Sequence, residues 1–234
     1  MTALLRYLFI YYARSHRYLA PLLAYAGPIL FIYSEVPNPV MDSYAFTAIW
    51  TFVIAAWLSY GFIDLEHEAQ RFVTIVHSRS VAKYEAAKFS LLGTVAALLS
   101  ILAVAFPILF DKFDRVPGAP EAGIALLAHL LLAWLGIACA AFFTERWAAS
   151  RSLALLGLLL VLAISVGGKG LEEELPEALR IAMWLVPPVF RISDMLVRFG
   201  EVPAGRIALL LGYSALYLAA LVAAYIRRSS RRLF

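Results

Sequence analysis

AGIALLAHLLLAWLGIACAAFFT, Ala122 to Thr144, runs for 23 residues without an Asp, Glu, Lys or Arg. About 20 apolar residues in helical form cross a bilayer's hydrocarbon core. Five more apolar runs lie around it, at about 18–34, 44–63, 88–110, 152–168 and 205–226. The whole chain has 234 residues, of which 63% are hydrophobic and 15% charged. Soluble domains are roughly half apolar and a quarter charged, so disorder, a coiled coil and a soluble globule are excluded. The expectation is an all-α membrane protein of six transmembrane helices in one domain, 1–234. The remaining residues leave no room for a separate soluble catalytic domain.

Charge sets the orientation. With six crossings, one side of the membrane holds Arg6, Arg14, Arg17, Arg71, Arg79, Lys83, Lys88, Arg146, Arg151, Arg227, Arg228, Arg231 and Arg232. The other holds Lys112, Arg115, Lys169, Arg180, Arg191, Arg198 and Arg206. The thirteen-to-seven excess puts both termini in the cytoplasm by the positive-inside rule. Residues 1–16 carry Leu4, Leu5, Leu8 and Tyr12 at helical spacing. They read as an interfacial helix, the alternative being an extension of the first span. They lack the pattern of a secretory signal.

Two connecting segments are more than loops. GFIDLEHEAQRFVTIVHSRSVAKYEAAK, Gly61 to Lys88, places Phe62, Leu65, Ala69, Phe72, Val73 and Val76 at i, i+3, i+4 spacing. An amphipathic cytoplasmic helix of about four turns is expected over 64–80. Its mixed charge favours a protein partner over bare lipid, whereas a helix sealing the bilayer edge is the plainer reading. On the outer side, 171–200 carries two apolar stripes. They are Leu171, Leu175, Leu179, Ala182, Met183 and Val186, then Val189, Ile192, Met195, Leu196 and Phe199. They are separated by Pro187-Pro188, which stops a helix. A helical hairpin dipping into the outer leaflet is expected, with Trp184, Pro187, Pro188 and Phe190 at its turn as an outer gate. An ordinary extracellular cap is the alternative.

Together these features resemble the membrane subunits of type-2 ABC transporters. That family has an interfacial N-terminal helix, six spans, a coupling helix between spans 2 and 3, and a re-entrant hairpin between spans 5 and 6. Its local pattern matches Glu66 and Glu68, Thr74, Ser78-Arg79 and Lys88. The family's Gly-Thr reads Val73-Thr74 here, and its Pro before the Ser-Arg reads His77. The resemblance implies an exporter in the bacterial cytoplasmic membrane, moving an amphipathic cargo such as a peptide, a lipid-linked molecule or a drug. It also implies a second permease subunit and a separate ABC ATPase that holds the ATP and Mg. The coupling residues it implies are Glu66, Glu68, Gln70, Arg71, Thr74, His77 and Arg79. Glu145 and Arg146 are a further candidate contact with that motor, a solvated helix end being the equal alternative. A membrane scaffold or immunity protein using the same cytoplasmic helix is the second reading.

Catalysis finds no motif. There is no GxxxxGK[ST] phosphate loop, and Gly167-Gly168-Lys169-Gly170 has the wrong spacing. Membrane-protease patterns also fail: there is no GxSG, Glu173-Glu174 is followed by Ala178 where an Arg is required, and His67-Glu68 by Arg71 where a second His is required. The chain is expected not to be an enzyme, to carry no cofactor or metal of its own and to bind no nucleic acid. His129 inside a span reads as a hydrogen-bonded packing residue rather than a proton relay, and Cys139 as packing. The Arg227–Arg232 cluster is an orientation signal that also suits anionic lipid.

Overall fold

The computed structural model describes residues 1–144 and 147–231. Glu145, Arg146 and Arg232, weighed above from the sequence, lie outside the described residues. The helices are α1 (Thr2–Ser15), α2 (Leu19–Ile32), α3 (Val40–Ile63), α4 (Glu68–Ser78), α5 (Val81–Leu109), α6 (Ala119–Ala141), α7 (Arg151–Glu174), α8 (Glu177–Arg180), α9 (Val189–Val197) and α10 (Ala204–Arg231). A 3₁₀ turn, Ile181–Trp184, follows α8. No strand occurs among the described residues. Five helices, α3, α5, α6, α7 and α10, are long and apolar enough to cross a membrane. The protein is an all-α membrane protein.

The sixth apolar run forms a shorter helix. α2 has 14 residues, a rise of about 21 Å at 1.5 Å per residue. It starts beside Gly61, which Arg17 approaches, and Tyr33 just past its end stacks edge-on against Phe113. Tyr25 in between donates to the Leu99 carbonyl (2.8 Å), and Trp50 donates to that of Ala24 (3.1 Å). α1 is a separate helix because His16 takes a left-handed conformation (φ 55°) and ends it.

α3 and α6 form the centre. Both are lined with small residues, Ala45, Ala48, Ala55 and Ala56 on α3 and Ala128, Ala133 and Ala140 on α6, all buried. Small side chains let membrane helices approach closely, where dispersion rather than water exclusion holds them. A Cβ placed at Gly136 would lie 2.3 Å from the Phe52 carbonyl oxygen. α5 packs on α6 and α3, and α10 packs on α6 and α5. The periphery is looser: 67% of the apolar window of α6 is buried but only 11% of that of α10.

Local chemistry sets the helix ends. Ser80 and Ser150 accept from the Lys83 and Leu153 amides at the starts of α5 and α7. α6 begins with Pro120, and Glu121 accepts from the Gly118 amide (2.7 Å). YSEVPNPVM, Tyr33 to Met41, is the turn between α2 and α3. Its Asn38 exchanges backbone bonds with the segment after α5, receiving from Asp114 (2.9 Å) and donating to Lys112 (3.0 Å).

Three boundaries differ from the sequence reading. The amphipathic helix expected over 64–80 is confined to Glu68–Ser78. Phe62 belongs to α3, and residues 64–67 form the turn. The fifth run does not stop at Gly168, because α7 continues to Glu174. There the ring of Phe190 lies where a side chain on Gly168 would be, 2.4 Å from its Cβ position, so the glycine serves packing. The first outer stripe is not one helix. Pro176 breaks it, and Leu179, Ile181 and Leu185 are exposed. α9 does bury Val189, Ile192, Met195 and Leu196, against α3 and α7.

Candidate coupling helix and its anchors

α4 connects two spanning helices and is fixed by two buried carboxylates. The first is Glu66, in the turn before it. Lys88, about two turns into α5, is 3.1 Å from Glu66 Oε2, and both side chains are almost wholly buried. The Lys88 ammonium also donates to the Ile63 carbonyl (2.8 Å) and lies over the Tyr84 ring. Tyr84 donates to the same carboxylate, as does Tyr7 of α1 (3.1 Å). Thr74 of α4 places its hydroxyl 3.3 Å from Glu66 Oε1 while bonding the Gln70 carbonyl (2.9 Å). Gln70 closes the circuit by donating to the Tyr7 hydroxyl (2.7 Å).

Burial alone would push the Glu66 carboxyl up. The Lys88 ammonium and the bonds from Tyr84, Lys88 and Tyr7 outweigh it and hold the group below the usual carboxylate range. The Tyr7 phenol is pushed up, by burial first and then by the neighbouring Glu66 charge. The Glu66 carboxylate is therefore ionised at neutral pH, and removing its cationic partner strands that charge in a low-dielectric site.

The second carboxylate is Glu85 of α5, which is 1% exposed. It accepts from Tyr225 (3.0 Å) and Ser229 (2.8 Å) near the end of α10. It also pairs with Arg71 of α4 at 3.5 Å. α4 is thus joined through these two groups to α1, α5 and α10.

The opposite face of α4 is bare. Phe72, Val73 and Val76 are each more than half exposed, while Ile75 points inward. A cleft of about 360 Å³ runs between α1 and α4, past Leu4, Tyr7, Val73 and His77. A second, of about 530 Å³, is lined by Tyr11, Asp64, His67, Glu68 and Arg71.

The candidate residues therefore divide. Glu68 and His77 are exposed; Glu68 makes no ion pair among the described residues, and His77 bonds the Val73 carbonyl through Nδ1 (2.9 Å). Arg79 is exposed and ends α4 in a left-handed conformation (φ 60°). Glu66, Arg71 and Thr74 turn inward and brace the helix, and Gln70 ties it to α1. Glu66 and Glu68, both implied by the resemblance as coupling residues, thus stand in different surroundings: Glu66 belongs to the interior and Glu68 to the surface. The sequence reading did not give Tyr7, Tyr84, Glu85, Tyr225 and Ser229 a role. One signal was available: Tyr84, Glu85 and Lys88 are polar groups in the first two turns of an otherwise apolar helix, and ionisable groups at a membrane are retained for a reason.

At the other end of the bundle Pro187, Pro188 and Phe190 are buried and Trp184 is exposed. Tyr213 and Tyr217 of α10 donate to the Trp184 and Leu185 carbonyls (both 2.6 Å), latching this turn to α10. His129 is fully buried, with Nε2 2.9 Å from Thr47 Oγ1 and Nδ1 2.7 Å from the Ala125 carbonyl. Both ring nitrogens are satisfied by neutral groups. No group of three His, Cys, Asp or Glu able to hold a metal ion occurs among the described residues. No protein-family model, curated protein or solved structure matches the chain.

Proposed function

We propose that the protein is the permease subunit of an ABC exporter, with α4 as the coupling helix that receives a separate ATPase subunit. The observation that carries this reading is the two-faced environment of α4. One face is tied by Glu66 and Glu85 to α1, α5 and α10, and the other leaves Phe72, Val73 and Val76 uncovered between two clefts. A helix built only to seal the bilayer edge has no need of two buried ionic anchors. A helix that passes displacement into spans does. ATP binding would close two partner ATPases, move α4, and carry α5 and α10 with it, opening an outward path between two permease subunits. The cargo class is amphipathic, a peptide foremost.

The reading includes six crossings with both termini cytoplasmic, α2 being the first crossing. Its support is the arginine-rich α4 end and the reach of α2 from Gly61 to Phe113. It also makes the 171–200 segment a re-entrant hairpin. Tyr213 and Tyr217, which hold the Trp184–Leu185 turn, are nine and thirteen residues into α10. That puts the turn about 13–20 Å along the helix from its outer end.

The test is affinity purification from mild detergent with mass spectrometry. A co-purifying ATPase of about 200–300 residues, lost in Phe72→Ser/Val76→Ser while the permease yield is unchanged, is expected. A clean preparation without ATPase, under conditions that keep other transporters assembled, overturns the reading in favour of the scaffold.

A further inference from the structure

The end of the bundle remote from α4 holds a basin of about 440 Å³ between α7, α8, α9 and α10. Five cationic side chains line it: Lys169, Arg180, Arg191, Arg198 and Arg206. Against them stand three carboxylates, Glu172, Glu173 and Asp194. Asp194 is shared by Lys169 (2.5 Å) and Arg198 (3.3 Å), and Glu172 is taken by Arg191 (2.9 Å).

Donors are left over. Among the described residues, Arg180 bonds the Leu175 carbonyl alone, through Nε (3.1 Å), and Arg206 makes no ion pair. The Arg191 guanidinium lies against the Trp184 and Phe190 rings, at 4.2 and 4.8 Å, and its buried Nε has no acceptor among the described residues. Planar guanidinium groups with spare donors, one of them fixed by aromatic faces, suit an oxyanion.

A separate apolar groove lies further along α10. Arg206 and Leu210 border the basin from the first two turns of α10. On the other side of the Leu185–Pro187 turn lies the groove, of about 310 Å³, lined by Phe143, Val161, Ile164, Val186, Tyr217 and Leu221. From Arg206 to Tyr217 is about 16 Å along α10, roughly half the thickness of the hydrocarbon core. A cationic mouth at the helix ends, with an apolar groove beneath it, matches one molecule in the surroundings of a membrane protein.

We propose that the basin binds the anionic headgroup of a membrane phospholipid, whose acyl chain lies in the groove between α7 and α10. The site shares no residue with α4 and stands equally for a permease or a scaffold.

The test uses the full-length protein in detergent, titrated with phosphatidylglycerol or phosphatidylcholine and read by native mass spectrometry. Phosphatidylglycerol should bind about tenfold more tightly. Arg180→Gln/Arg206→Gln should abolish that preference. Glu173→Gln, which removes a competing negative charge, should strengthen phosphatidylglycerol binding and serves as well if the double variant does not purify. Equal binding of the two lipids, or a preference that neither variant moves, overturns the proposal. Displacement of bound phosphatidylglycerol by millimolar inorganic phosphate assigns the basin to a free anion and overturns it too.

Discussion

Lys88→Met is the sharpest test of the anchors beneath α4. Methionine is unbranched and flexible enough to fill the space of the lysine stem, so the change removes the charge and little volume. The Glu66 carboxylate, 2% exposed in its side chain, keeps its bonds from Tyr84 and Tyr7 but loses the only cation paired with it among the described residues. Breaking a buried pair on one side costs about 3–5 kcal/mol. For a chain of this size that is a fall in melting temperature of roughly 6–20 °C. Melting in detergent, followed by fluorescence-detected size exclusion between pH 4 and 8, separates this from simple loss of packing. In the wild type the Glu66 carboxyl lies below the ordinary carboxylate range. Its stabilisation is present at neutral pH and is lost as pH falls through that lowered value. In the variant the cation's share of this lowering is gone, so the carboxyl lies higher than in the wild type and contributes less stability at neutral pH. The difference between the two proteins should be largest near neutral pH and shrink on acidification. Glu66→Gln/Lys88→Met should recover at least half of the loss, because no charge is stranded. A loss below about 1 kcal/mol, or one equal at all pH values, refutes the buried-pair argument.

Two further substitutions test the core. Gly136→Ala should lower stability by about 1–3 kcal/mol, because its Cβ meets the Phe52 carbonyl and α3 must move from α6. Gly123→Ala on the same helix meets no neighbouring atom within 4 Å and should be neutral or raise stability by up to about 1 kcal/mol; the same melting assay compares them. His129→Leu leaves Thr47 bonded to the Ser43 carbonyl (2.9 Å) and should cost about 1–2 kcal/mol; on the proposed exporter reading, transport should be undiminished. Abolished transport in a variant that still folds would make His129 a working residue.

The spanning helices were legible because an apolar run of span length has few fates other than crossing a bilayer. Their ends were less so. Gly167-Gly168 looked like a stop, but the packing of Phe190 against Gly168 is a contact between residues 22 apart, which no local pattern displays. Pro176 was legible as a breaker and was masked by the regular spacing of leucines around it. For α4, periodicity found the helix and not its inward side. Glu66 and Glu68 are chemically alike and two residues apart, and only Lys88 and Tyr84, on another helix, decide which one is buried. The apolar stripe Phe72, Val73 and Val76 reads from sequence as one face of an amphipathic helix, and its exposure depends on what the neighbouring helices leave uncovered.

The placement of Tyr84, Glu85 and Lys88 restricts how α5 can move. Tyr84 and Lys88 grip the carboxylate below α4 on one side, and Glu85, a residue away, grips Tyr225 and Ser229 on another. Twisting α5 about its own axis, or sliding it past its neighbours, would break both grips, whereas tilting it with α10 and the 64–67 turn carried along keeps both. The azimuth of the helix is therefore locked at the end nearest α4, and on the proposed coupling reading a push on α4 would reach the bundle as a lever stroke with α10 carried alongside, not as a turning screw.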